Sequence, residues 1–169
     1  MKIIEALKKI KDLQKKAEDL TDKIGNHSAY SSIESPVYED QKAQIKDWLQ
    51  AHHDIMAEIL GLRIAIQKTN LAIKVTIEID GRNVTKTIAE WIHRRRGLAL
   101  LEKGAWQSLT DRNIKEGVVR GPSDDPVHIK LIRCYEPEER DRMVSLYDGE
   151  PSLIDAKLEI VNAVTDLLE

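Results

Sequence analysis

Apolar residues first recur along this chain at helical spacing. Ile3, Leu7, Ile10, Leu13, Ala17, Leu20 and Ile24 step by three and four, with Lys, Glu and Asp filling the other face. The spacing predicts an amphipathic helix over 1–24, closed by Gly25-Asn26, residues tolerant of a left-handed conformation. After a polar loop from His27 to Glu34, a longer stripe runs through Ile45, Trp48/Leu49, His52, Ile55/Met56, Ile59, Leu62, Ile66, Asn70 and Ile73. Ser35 as N-cap, Pro36 in the first turn and Glu39 and Asp40 at the positive end of the dipole place its start at Ser35. At about 1.5 Å per residue this 35–73 helix is roughly 50 Å long, more than the first helix covers as an antiparallel partner.

The period then changes to two. Val75, Ile77 and Ile79 alternate with polar residues over 74–79, and Asp80-Gly81 is a strong hairpin signal leading into Arg82-Asn83-Val84. Thr87-Ile88-Ala89-Glu90 has capping-box spacing and predicts a helix from 85–87 to about 104–109, with Ile88, Trp91/Ile92, Leu98/Ala99, Leu101 and Ala105 inward. The Gly, Pro, Asp and Ser content of 110–126 predicts a surface loop, and 127–135 a third strand beside the first hairpin. A helix opens at Glu136-Pro137, is interrupted or kinked at Asp148-Gly149-Glu150-Pro151, and resumes over 152–169 with Ile154, Leu158, Val161, Val164 and Leu168 as its stripe. That last stretch is the expected cover for the far end of the long helix.

The expected fold is therefore α+β: a long-helix hairpin or bundle with a small antiparallel sheet made of one hairpin plus one later strand. A single domain over 1–169 is expected, divided into a helical hairpin (1–73), a middle β-hairpin, helix, loop and strand (74–135) and C-terminal helices (136–169).

Composition narrows the picture. With 33% charged residues but a net charge of only −3, the surface is solvated and of mixed sign, which argues against nucleic acid or a membrane as partner. Phe is absent and aromatics make up 4%, so the core is aliphatic. The single Cys134 has no internal disulfide partner, and no apolar run reaches membrane-span length, so a cytoplasmic location is expected, or a virion if the chain is viral.

The order of elements, with Glu5-Ala6-Leu7, Asp12-Leu13-Gln14, Ile66-Gln67-Lys68-Thr69-Asn70, Asp80-Gly81-Arg82 and Val84-Thr85, resembles the DIP1984 family, also described as septicolysin-like. The tail, Ile154-Asp155-Ala156-Lys157-Leu158 through Asn162 to Thr165-Asp166-Leu167-Leu168-Glu169, is the closest match. The chain departs from that pattern at Ala163, at Gly149 and Pro151, and in the length of the 74–79 strand. The resemblance implies an oligomeric helix bundle with a small sheet, and it implies no activity.

Candidate chemistry is sparse. His52-His53-Asp54 offers no pair of histidines on one helix face, so no metal site is expected. His52 and Asn70 fall on the apolar stripe, where polar residues set register or oligomer state. His93-Arg94-Arg95-Arg96 is the one concentrated basic patch; its arginines spread around a helix, and Arg95 lies near the buried line, where it would pair with a carboxylate. Cys134 reads as an ordinary thiol, no nucleotide, dinucleotide or hydrolase motif occurs, and no catalytic residue or cofactor is expected.

The expected function is a non-enzymatic structural protein that self-associates, coiled-coil fashion, through long amphipathic helices. Its interface would use Trp48, His52, Ile55, Ile59, Ile66 and Asn70. The alternatives are a component of a larger particle such as a phage virion or capsid, and a phosphate- or nucleic-acid-binding module using Arg94, Arg95 and Arg96.

Overall fold

The computed structural model describes residues 1–168, so Glu169, the last residue of the tail motif, lies outside the described residues. The fold is α+β. Its elements are α1 (Ile3–His27), α2 (Gln41–Ala72), β1 (Lys74–Ile79), β2 (Arg82–Thr87), α3 (Ile88–His93), a π-helical turn (Arg94–Leu98), α4 (Ala99–Gln107), β3 (Gly117–Arg120), β4 (Pro126–Ile129) and α5 (Pro137–Val164). Contacts gather these into two compact units, one of 1–75, 87–89 and the chain from Leu158 onward, the other of 76–86 and 90–157.

The first unit is built on the α1–α2 hairpin. Lys9 pairs with Glu58 at 2.5 Å, and Gln41 Nε2 donates to the His27 carbonyl at 2.8 Å, so the arms run antiparallel. Ile10, Leu13 and Ile59 form the buried seam, with Ile55, Leu62 and Ile66 packed against it. This register leaves the last turns of α2 beyond the start of α1, and the C-terminal tail occupies that end. Leu168 N–H donates to Thr69 Oγ1 at 2.9 Å, and the Thr69 hydroxyl in turn donates to the Ala65 carbonyl at 2.8 Å. The two chain ends are tied alongside: Ile3 N–H donates to the Thr165 carbonyl at 3.0 Å, Leu167 N–H to the Met1 carbonyl at 2.8 Å, and Lys2 Nζ reaches Asp166 at 2.5 Å.

Helix boundaries differ from the sequence expectation in α1, α2 and α5; α5 ends at Val164 instead of running through 169, and Val164 and Leu168 of its expected stripe are exposed. α1 continues through Gly25 to His27, where Ser28 Oγ donates to the Gly25 carbonyl at 3.0 Å and His27 Nδ1 lies 2.9 Å from the Lys23 carbonyl oxygen. α2 starts at Gln41 rather than Ser35, because Asp40 is its cap: Asp40 Oδ1 accepts from Ala43 N–H at 2.9 Å. Gln41 fixes the preceding loop by accepting from Val37 N–H at 3.1 Å.

In the second unit the β1–β2 tip turns at Asp80 (φ 53°) and Gly81 (φ 71°), the left-handed pair that the Asp-Gly dipeptide predicts. The later strand does not join that sheet. The segment expected to be a loop supplies β3, which pairs antiparallel with β4 from Gly117↔Ile129 to Arg120↔Pro126, giving two separate two-stranded sheets. Gly121 N–H donates to the Asp125 carbonyl at 2.9 Å and Asp124 takes φ 61°, so a local turn closes this pair. β4 ends at Ile129, six residues short of the predicted strand end at Tyr135.

α5 is unbroken from Pro137 to Val164 and carries Pro151 in its interior. Of the expected interruption or kink at 148–151, the interruption is absent: Glu150, Ile154 and Leu158 are buried one and two turns apart and tie down the helix around the proline.

Candidate functional site

Helix α2 carries apolar residues on two faces. The first is the one singled out by spacing, and the chain itself covers it. Ile59 is 6% exposed, and Ile55 and Ile66 pack with it against Ile10 and Leu13 of α1. His52 and Asn70 are half-buried on the same side, and Asn70 Oδ1 is buried with no hydrogen-bond partner among the described residues. Trp48 is half-buried and closes an edge-to-face cluster with His27 and Tyr38, whose ring centroids lie 5.3–5.5 Å from one another. Of the six residues expected at an interface, Ile55, Ile59 and Ile66 thus line a seam within one chain, and Trp48 packs in an aromatic cluster.

The second face was not singled out. Leu49, Met56, Leu60, Ile64 and Leu71 are all exposed, with Leu60 at 59% and Leu71 at 67%. At about 100° per residue they fall within an arc of roughly 80°, turned about 120° from the seam. Apart from the seam residues Ile55, Ile59, Leu62 and Ile66, the residues between them are polar, charged or small, so this is a narrow row. The sequence held the signal in its spacing of seven, four, four and seven. Leu49 and Met56 were absorbed into the neighbouring stripe, and Leu60, Ile64 and Leu71 were passed over.

The basic patch has a different fate. Ala99 N–H bonds the Arg94 carbonyl, a five-residue step that defines a π turn at Arg94–Leu98 and redirects the arginines. Arg94 makes a two-pronged pair with Glu150, which is 3% exposed: Nε bonds Oε1, and Nη2 lies 2.9 Å from Oε2. Its Nη1 bonds Glu102, and the guanidinium carbon stands 5.4 Å from the Tyr147 ring centroid. Glu150 raises the Arg94 pKa further, so the guanidinium is charged at any relevant pH. The Tyr147 hydroxyl, and then Arg94, lower the Glu102 pKa, while donation to Glu102 raises that of Tyr147. Arg95 pairs with Asp155 and Lys103 with Asp148, forming an ion-pair ladder onto α5. Arg96 is exposed and has no ion pair among the described residues.

A third feature is an open hollow of about 320 Å³ lined by Leu109, Asp111, Ile114, Leu131, Arg133 and Tyr135, with the exposed thiol Cys134 at its edge. Arg133 donates to both Asp111 oxygens at 2.8 and 2.7 Å, and the Tyr135 hydroxyl adds a bond at 3.0 Å. The Arg133 bond, aided by Tyr135, brings the Asp111 pKa down to about 2. This is a saturated, ionised acceptor, far from the neutral pKa that suits proton transfer. Among the described residues no group of three or more His, Cys, Asp or Glu is placed to hold a metal ion, and no helix is long and apolar enough to cross a membrane.

No family model matches the chain, and no curated protein matches it. Among solved structures it is similar to the crystal structure of a functionally unknown conserved protein from Corynebacterium diphtheriae. The two share 18% identity with a TM-score of 0.57, and the likeness covers 99% of each chain. That likeness shows a common fold over the whole chain.

Proposed function

We propose that this chain is a non-enzymatic assembly protein that associates with copies of itself through its long helix. One observation carries the reading: α2 exposes an apolar row, interrupted by His53 and Gln67, although its other apolar face is filled by α1 and by the chain's own tail. An exposed row of this length is costly in water and is the usual mark of a protein contact. The resemblance to the septicolysin-like family belongs to the same reading, as does a reducing, cytoplasmic setting for the exposed thiol of Cys134.

A polyanion-binding role for Arg94–Arg96 draws on less, because Arg94 and Arg95 are engaged by Glu150, Glu102 and Asp155. Salt-sensitive retention on heparin would favour it. Self-association is tested by sedimentation equilibrium at micromolar concentration. The expected result is a mass at least twice the 19.3 kDa of one chain, and a monomer would overturn the proposal.

A further inference from the structure

The exposed row on α2 is symmetric in sequence. Met56 and Ile64 each lie four positions from Leu60, and Leu49 and Leu71 each lie eleven. We propose that α2 pairs with α2 of a second copy, antiparallel, about a two-fold axis passing at Leu60. The proposal rests on the self-association reading and names its surface and geometry.

In such a pair residue n of one helix lies level with residue 120 − n of the other. Leu60 then meets Leu60, Met56 meets Ile64 and Leu49 meets Leu71, so every apolar side chain of the row faces another. A two-fold contact demands this self-complementarity, and an unsymmetrical spacing would have left leucines opposite polar residues.

Charge selects between the two ways of pairing identical helices. In a parallel pair, residues five positions apart on opposite flanks come together, so Arg63 of each copy would meet Lys68 of the other in two like-charge contacts. In the antiparallel pair the same flank of each helix faces itself. Lys68 then comes beside the second copy's Asp54, and Arg63 comes beside the apolar row near Met56. Asp54 is held in place within its own chain by Gln50, whose Nε2 donates to it at 2.8 Å. The opposed helix dipoles add a small favourable term.

Area permits the contact. Burying the open fractions of these five side chains in both copies, 38–67% of each residue, removes on the order of 1,000 Å² from water, the size of a weak, reversible interface. The stems of Arg63 and Lys68 extend it.

Single-cysteine variants in a Cys134→Ser background test the geometry with a short bis-maleimide cross-linker, after circular dichroism confirms each fold. Leu60→Cys alone is expected to cross-link to itself. Leu49→Cys alone is expected to give at least tenfold less product, because its two copies stand roughly 33 Å apart at 1.5 Å per residue. A mixture of Leu49→Cys and Leu71→Cys is expected to cross-link as Leu60→Cys does. Self-linking of Leu49→Cys would overturn the antiparallel pairing. A wild-type dimer in which Leu60→Cys fails to cross-link would overturn this surface while leaving self-association standing. A wild-type monomer would overturn both.

Discussion

Two adjacent residues of α2, Ile59 and Leu60, are chemically alike and yet stand in opposite circumstances. Ile59 is 6% exposed in the seam with Ile10 and Leu13, whereas Leu60, one step of about 100° around the helix, is 59% exposed. The first face is completed by the fold of a single chain, and the second is not. The comparison separates what holds this molecule together from the exposed face on which the proposed self-association rests.

Opposite outcomes are expected when the two residues receive the same change. Ile59→Asp places an unpaired charge in the seam and removes a filled side chain, at a cost of about 4–6 kcal/mol; loss of the helical signal at 222 nm at 25 °C would register it. Leu60→Asp leaves that seam intact and, at protein concentrations low enough for the wild type to be monomeric, should cost only about 1 kcal/mol in a urea melt, mostly helix propensity. A Leu60→Asp chain that unfolds like Ile59→Asp would break the distinction.

The second unit offers a polar counterpart. Glu150→Ala removes the buried partner of Arg94 and strips the π turn of its anchor. Arg94 keeps Glu102 and some contact with water, so the expected loss is about 2–3 kcal/mol by denaturant titration, below that of a fully buried broken pair. No change in midpoint would mean that the ladder onto α5 is ornamental. Thr69→Val deletes the acceptor of Leu168 N–H and should cost about 1–2 kcal/mol, read as faster amide exchange at Leu168. Unaltered protection there would show that the tail is held by other means.

The smallest effect concerns acid. Asp111 has its pKa lowered from an ordinary 3.8 to about 2 by Arg133 and Tyr135, and the Glu102 and Asp166 pKa values are lowered as well. Groups with depressed folded-state values stabilise the fold at neutral pH, and that contribution is lost as pH falls from about 4 toward 2. Asp111→Asn should therefore make the fall in melting temperature between pH 5 and 2 shallower than in the wild type. An identical acid limb would count against the pairing.

Much of this architecture was legible from periodicity. The α1–α2 hairpin and the left-handed Asp80-Gly81 turn follow from stripes and turn residues whose partners are nearby or whose pattern is long, whereas the expected terminal helix stops at Val164 and a non-helical tail reaches Thr69. What escaped the sequence depended on distant partners or on pairing choices. Asp40 caps α2 instead of Ser35 because Gln41 is held by the His27 carbonyl. The π turn has no residue signature and is anchored by a glutamate from α5. The residues 117–129 pair with each other because a local turn costs less chain entropy than reaching the first hairpin. The open row was hidden by its neighbour. Met56 and Leu49 sit beside Ile55 and Trp48, so the spacing merges both faces into a single stripe.

One measurement bears on the central claim more directly than the rest: sedimentation equilibrium of the wild type and of Leu60→Asp under identical conditions. The account predicts a wild-type mass of twice 19.3 kDa and a folded Leu60→Asp monomer at 19.3 kDa. Equal masses for the two proteins, at either value, would contradict it.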